Sequence, residues 1–474
     1  MQKKFLSNLF FLILVNLLVK PFWILGIDRT VQNEVGAEVY GSYFALFNLS
    51  LILNIFLDLG ITNYNNRHIS QHSHLLGKYF TRIVALRLVL AVGYSILCLI
   101  AGLAFGYDAT QMSLLALLSF NQFLLSFILF LRSNVAGLQL FRIDSLLSIL
   151  DRLLLIVGCS FLLWGRVGTE PFQIEWFVIM QTMALAITMV VALFVVVYYG
   201  RPFSVHWNGR LFRGILKQSI PFALLIFLMG IYGRVDSVML ERLLPDGNFQ
   251  TGIYAQAFRL LDAVNMIGYL FAVLLLPMFS GMLKQKEDIR PLAILGSKLL
   301  LLPAFSLALV AWWHGEAIMA SLYSEHAEAS GKVLSLLLFS FVPMAGTYVF
   351  GTLLTANGNL KNLNIIALGG VVLSLIANLI LIPIWGPMGA AAACLATQLV
   401  TFLLQFALAK RMFNIRFSKG ELVGLLGSIG VVIGTGALTI SLSWYVASVV
   451  ILVLGALCTL LLILPNLHVL RKQS

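Results

Sequence analysis

Charge is scarce in this sequence. Asp, Glu, Lys and Arg make up only 11% of 474 residues, and 19 residues are acidic. A soluble domain of this length could not solvate its surface with so little, so soluble enzymes and soluble binding modules are excluded. Long polar connections are missing too: no gap between apolar runs exceeds about twenty residues. That leaves no room for an extramembrane domain, nucleic-acid-binding ones included, despite a net charge of +12. The four cysteines, Cys98, Cys159, Cys394 and Cys458, all lie inside apolar runs. They read as small buried hydrophobes, not as a disulfide framework or a zinc site. HExxH, GxSxG and a phosphate-cradling glycine loop are absent, so no catalytic residue and no metal ligand is assigned. His68, His72 and His74 cluster, but no carboxylate-rich pocket accompanies them, and a solvated basic loop is the plainer account.

What the chain does have is apolar length. Apolar residues are 60% of the total and the mean hydropathy is +0.97. Runs long enough to cross a bilayer recur throughout, and they stay apolar on both faces, which excludes barrel strands. The segmentation predicts fourteen spans: 5–27, 40–60, 81–105, 112–131, 145–164, 174–199, 214–233, 254–279, 293–313, 333–355, 362–384, 388–409, 421–440 and 443–464. The basic-then-apolar start resembles a signal peptide but lacks a small-x-small cleavage site, and it carries Lys20 and Pro21 deep in the run. It is read as a retained first helix. An all-α polytopic membrane protein follows.

Charge placement supports this cutting. With the N-terminus in the cytoplasm, 22 of the 31 Lys and Arg residues fall on the cytoplasmic side and five on the other, the bias that fixes orientation. Both termini are then cytoplasmic. The external connections are acidic or small, with Asp28, Glu34, Glu38 and Asp108 among them. The segment 201–213, after the sixth span, reads as a cytoplasmic linker between a six-helix lobe 1–200 and a second lobe 214–410. Residues 411–474 then add two peripheral, lipid-facing helices.

Four basic residues belong to neither bank: Lys20, Arg87, Arg152 and Arg259. Lys20 lies about two-thirds through the first span, beside a helix-bending Pro21, where it either lines a cavity or snorkels to the interface. Arg87 has the same two readings. Asp151 and Arg152 are sequence neighbours and so face different ways, with separate partners expected. Gly252 to Leu270 carries the clearest polar stripe: Arg259, Asp262 and Asn265 share one helix face with Tyr269. It echoes Gly41 to Leu59 at an offset of 211 residues, where Asn48, Asn54 and Asp58 recur on roughly one face. Arg234 and Asp236 are placed at the end of the seventh span. Polar faces on apolar helices look toward protein or water, which implies two lobes around a wet cavity. Its walls would be cationic and suited to phosphate oxygens. The interspersed carboxylates Asp58, Asp151, Asp236 and Asp262 would serve a coupling ion. Asn121, Gln122, Gln181, Asn378, Gln398 and Gln405 read as interhelical hydrogen-bond glue.

The run VGAEVYGSYFALFNLSLILNIFLDLGITNYNNRHIS, residues 35–70, resembles bacterial polysaccharide flippases of the multidrug/oligosaccharidyl-lipid/polysaccharide exporter superfamily. The likeness rests on Tyr40–Gly41 opening the helix and Asp58–Gly60 closing it. TGIYAQAFRLLD at 251–262 and WGPMGAAAACLATQL at 385–399 support it. The resemblance implies two pseudo-twofold-related six-helix bundles with helices one, two, seven and eight lining the cavity. Lys20, Asn48, Asn54 and Asp58 would lie on one side, and Arg234, Arg259, Asp262 and Asn265 on the other. It further implies a monomer in the bacterial inner membrane that moves polyprenyl-diphosphate-linked oligosaccharides by alternating access. The resemblance brings no cofactor, only a transported proton or sodium ion. The implied partners are membrane lipids and the glycosyltransferases and polymerase of the pathway. A lipid II flippase and a cation-coupled multidrug exporter are the alternatives, and the surplus of Lys and Arg disfavours the second.

Overall fold

The computed structural model describes residues 19, 21–62, 65, 69, 76–138, 140–165, 171–200 and 209–471. Among the described residues there are no strands, and 13 helices are long and apolar enough to cross a membrane. They are α1 Trp23–Leu57, α2 Leu76–Ala104, α3 Ala109–Gly137, α4 Phe141–Trp164, α5 Ile174–Gly200, α6 Gly209–Leu243, α7 Gly247–Gln285, α8 Arg290–Leu322, α9 Ala327–Ala356, α10 Leu360–Trp385, α11 Pro387–Phe413, α12 Lys419–Leu438 and α13 Trp444–Arg471. Helices suit these sequences because a backbone in hydrocarbon must satisfy its hydrogen bonds within the segment. Where helices begin in water, side chains take over: Asp108 and Gln111 form a capping box on α3, and Ser418 and Glu421 form one on α12.

α1 is two limbs joined at Gly36, whose φ of 79° and ψ of 168° interrupt the helix. That region of backbone space is essentially reserved for glycine. The fold in the chain is real: the Tyr40 hydroxyl donates to Asp28 Oδ2 at 2.8 Å, although 12 residues of straight helix would span about 18 Å. The first two expected spans therefore meet at Gly36, and the stretch expected as an external connection is largely helical. Asp28 is 1% exposed, not part of a solvated loop; the Tyr40 hydroxyl gives its carboxylate a partner inside the protein. Only the end of the expected span 5–27 is described, and Lys20 lies outside the described residues, as do His68, His72 and His74.

α6 and α7 run well past the expected 214–233 and 254–279. Falling hydropathy marks where charge begins, but backbone hydrogen bonding continues until Pro245 and Asp246 interrupt it. At 39 residues, α7 is about 58 Å long, against a hydrocarbon thickness of about 30 Å.

The chain forms two compact units, Met1–Arg242 and Leu243–Ser474. Of the expected linker 201–213, residues 201–208 lie outside the described residues. In the first unit α3 is central, packed against α1, α2, α4 and α5. Its Phe127, Phe130, Leu131 and Val135 meet Phe80, Ile83 and Leu86 of α2 and Ala192 and Val196 of α5. In the second unit α9 is central between α7, α8 and α11. The backbones of α8 and α9 touch, since a Cβ on Gly331 would sit 2.6 Å from the Glu316 backbone, the close approach that small residues permit in membrane helices. The last two helices pack on α8, where Leu302, Leu309 and Val310 join Val432 and Ile451.

Candidate functional site

Within the first unit the polar residues singled out by sequence are distributed along the second limb of α1. Asn48 is 1% exposed; its amide donates to the Phe44 carbonyl at 3.0 Å, and its Oδ1 accepts from Arg234 Nη1 at 2.9 Å. Asn54 Nδ2 donates to Gln122 Oε1 of α3 at 2.7 Å. Asp58 follows where the limb ends, at Leu59 and Gly60 with positive φ. It accepts from the backbone of Gly60 and of Thr62, both at 3.1 Å, and from the Arg87 guanidinium. Arg87 is 2% exposed and also donates to the Ser126 carbonyl at 2.9 Å and to its hydroxyl at 3.1 Å. Its guanidinium lies 4.8 Å from the centre of the Phe130 ring. Two residues expected to serve separately, one for cargo and one for an ion, are thus a single ion pair anchored to α3.

Asp151 and Arg152 pair with each other, Nε to Oδ2 at 3.5 Å. Separate partners were expected because adjacent residues diverge on a helix, but the long Arg152 side chain folds back toward the short Asp151 carboxylate. Arg152 also lies 5.5 Å from the ring centre of Trp23, which stacks on Phe177. Gln181 donates to the Tyr43 hydroxyl at 3.2 Å, the interhelical bond expected of it.

Arg234 and Asp236 sit within α6, about two and a half and about two turns before its end at Leu243, so the helix continues past the expected span end at 233. Asp236 is 2% exposed and accepts from the Ser237 amide at 2.9 Å. Beyond them is a cluster the sequence reading did not assign. Glu241 accepts from the Tyr107 hydroxyl at 3.2 Å, from Arg242 at 2.7 and 2.8 Å, and from Gln111 at 3.4 Å. Two sequence signals pointed there: Asp108-x-x-Gln111 at a helix start, and Glu241 seven residues after Arg234.

In the second unit, Arg259 and Asp262 lie about three to four turns inside α7. They face each other at 3.9 Å as an i,i+3 pair with side chains 11% and 19% exposed. Asn265, one turn further, accepts from the Tyr348 hydroxyl of α9 at 2.7 Å. Arg259, Asp262 and Asn265 follow one another along α7 with Tyr348 as the partner of Asn265, while Tyr269, expected on the same face, is 61% exposed. Lys298, one of the 22 basic residues assigned to the cytoplasmic side, lies within α8, is 5% exposed and donates to Glu421 at 2.8 Å. In the turn between α7 and α8, hydrogen bonds from Arg290 hold the Asp288 carboxyl below the ordinary carboxylate range.

The chain matches the family model described as polysaccharide biosynthesis protein over residues 5–283. It belongs to that family. The matched stretch of this polysaccharide biosynthesis protein carries every candidate residue named above from Asn48 to Asn265. No curated protein matches the sequence. Among solved structures, the fold is similar to that of a lipid II flippase MurJ in an inward closed conformation. The TM-score is 0.69 at 14% identity, covering 94% of this chain and 98% of that one. It is also similar to a multidrug resistance MATE family transporter of the MOP superfamily in its inward-facing conformation. That TM-score is 0.58 at 13% identity, covering 83% and 94%. The outward-facing form of a MATE transporter gives 0.53 at 17% identity, covering 86% and 94%. The chain is therefore a multi-pass membrane protein of the polysaccharide biosynthesis family with the fold of MOP superfamily transporters.

Proposed function

We propose that the protein is a transporter, not an enzyme, which moves undecaprenyl-diphosphate-linked oligosaccharide repeat units from the cytoplasmic to the periplasmic leaflet of the bacterial inner membrane. Alternating access, driven by a proton or sodium gradient, is the mechanism. The termini are cytoplasmic on this reading, and no oligomer is needed. The observation that carries it is the depth of Arg234 and Arg259 within α6 and α7, on the stretch that defines the family. A guanidinium within a membrane-crossing helix favours anionic or aqueous company. Arg259 and Arg234 keep Asp262 and Asn48 beside them, partners that an anionic cargo would share or replace. A diphosphate is such an anion, and the planar fork of Arg matches its oxygens. Asn48 and Asn54 in the first unit, and Asn265 in the second, are proposed as hydrogen-bonding groups for the sugar and phosphate oxygens. Asp58 and Asp151 are each paired with an arginine, which supports a place for them in exchanging pairing partners as an ion binds. Asp236 and Asp262 are proposed for the same task. Lys20 belongs to the cargo set on sequence grounds.

The likeness of the whole fold to MurJ supports lipid II as a second cargo, since it is also a diphosphate-linked lipid. The fold is shared with drug exporters as well, but the excess of Lys and Arg disfavours a cationic drug. The test is reconstitution into vesicles with a fluorescent polyprenyl-diphosphate oligosaccharide and a membrane-impermeant quencher. The proposal expects transfer between leaflets well above that of protein-free vesicles, and faster with an imposed cation gradient. Transfer equal to empty vesicles in both conditions would sink it, and preference for lipid II in competition would move the assignment to the second cargo.

A further inference from the structure

Phe227, Arg234 and Glu241 of α6 are spaced by seven, which puts them on one helix face. Each makes a defined contact. Phe227 meets Phe56 edge-on with ring centres 5.3 Å apart. Arg234 donates to Asn48 at 2.9 Å. Glu241 accepts from Gln111, whose amide also donates to Ser42, both at 3.4 Å. The partners on α1 run 56, 48, 42 as the positions on α6 run 227, 234, 241, so α6 lies antiparallel to the second limb of α1 along a single seam.

The seam differs from the rest of the first unit. α3 packs closely against α5, whereas among the described residues α6 shows no comparable backbone approach to α1 or α3. Long side chains bridge it instead. Its strongest point is its end, where the Glu241 side chain is 3% exposed. There Tyr107, Gln111 and Arg242 converge on the carboxylate, and the Arg242 guanidinium lies 4.0 Å from the Tyr107 ring centre. Asp108 holds Gln111 in place through the capping box. Ties of this kind part without prying apart an interdigitated apolar core, because water or another polar partner can take over their hydrogen bonds. The location matters as much as the chemistry: Glu241 and Arg242 are the last residues of the first unit, and Leu243 begins the second. The chain passes from one unit to the other directly after this cluster.

We propose that Glu241, gripped by Tyr107, Gln111 and Arg242, is a releasable latch that fastens α6 to α1 and α3 in one state of the transport cycle and lets it go in another. Glu241 is a positioning residue here and touches no cargo. The proposal rests on the alternating-access reading above, so its test includes a readout that needs no cargo.

Two measurements on the full chain in lipid nanodiscs or vesicles decide it. The first is hydrogen exchange in Glu241→Ala, Glu241→Gln and Tyr107→Phe. A latch predicts several-fold faster exchange confined to the last turns of α6, largest in Glu241→Ala, with α3 and α5 unchanged. Unchanged α6, or a rise spread over every helix of the first unit, would overturn it. The second is Phe56→Cys/Phe227→Cys joined by a short reducible thiol cross-linker, with the parent chain treated identically as reference. Arrest of leaflet transfer that reductant reverses supports the latch, and transfer at the uncross-linked rate overturns it. If no diphosphate cargo moves yet exchange is confined to α6, the cargo reading fails while the latch stands.

Discussion

Arg87 and Asp58, 29 residues apart, form an ion pair, buried on the arginine side and partly exposed at the carboxylate, that ties the end of α1 to α2 and, through Ser126, to α3. The arginine is almost wholly enclosed, and that carboxylate and the face of Phe130 are what compensate its charge. Breaking one side of such a pair leaves an uncompensated charge, at about 3–5 kcal/mol.

Asp58→Asn is therefore expected to destabilise the protein by about that amount. Arg87→Met, which removes the buried cation while keeping its bulk, should cost less. The double variant should be more stable than Asp58→Asn alone. Thermal unfolding in detergent micelles checks this; additive losses would mean the two side chains do not depend on each other.

Gly36 is the joint of α1. Gly36→Ala forces a Cβ into backbone space reserved for glycine, at about 1–3 kcal/mol. Tyr40→Phe removes the donor that bridges the joint to Asp28, at about 1–3 kcal/mol. Both should lower the melting temperature, and a melting temperature within error of the parent for either would show that the joint is not held this way.

Lys298 and Glu421 fasten α12 to α8, with the ammonium also reaching the Leu462 carbonyl of α13. Glu421→Gln should loosen the last two helices and leave the rest of the fold intact, because the apolar contacts of Val432 and Ile451 are local. Limited proteolysis reads this as faster cleavage within 414–443. Unaltered cleavage there would make the pair a bystander.

The spans were legible because the bilayer imposes length and polarity on every helix, and Arg259, Asp262 and Asn265 were legible as a stripe because three-residue spacing is local. What escaped was whatever depends on a second element. Nothing near Asp58 in sequence names Arg87, nothing near Asn265 names Tyr348, and Asp28 reads as a loop residue until Tyr40 folds back onto it. The ends of α6 and α7 escaped for another reason. Hydropathy records where apolar side chains stop, whereas a helix stops where its backbone loses partners, here around Pro245 and Asp246. Glu241 went unassigned because it lies in that overlooked stretch.

The central claim is that arginines deep in α6 and α7 meet the diphosphate of a lipid-linked oligosaccharide. The most direct measurement is the leaflet-transfer rate of that cargo in vesicles carrying the parent chain, Lys20→Ala, Arg234→Ala or Arg259→Ala, each first shown to be folded. The account predicts that each variant slows transfer about tenfold or more, as loss of a charge-assisted phosphate contact worth about 1.5–3 kcal/mol would do. Parent-like rates in both arginine variants would contradict it.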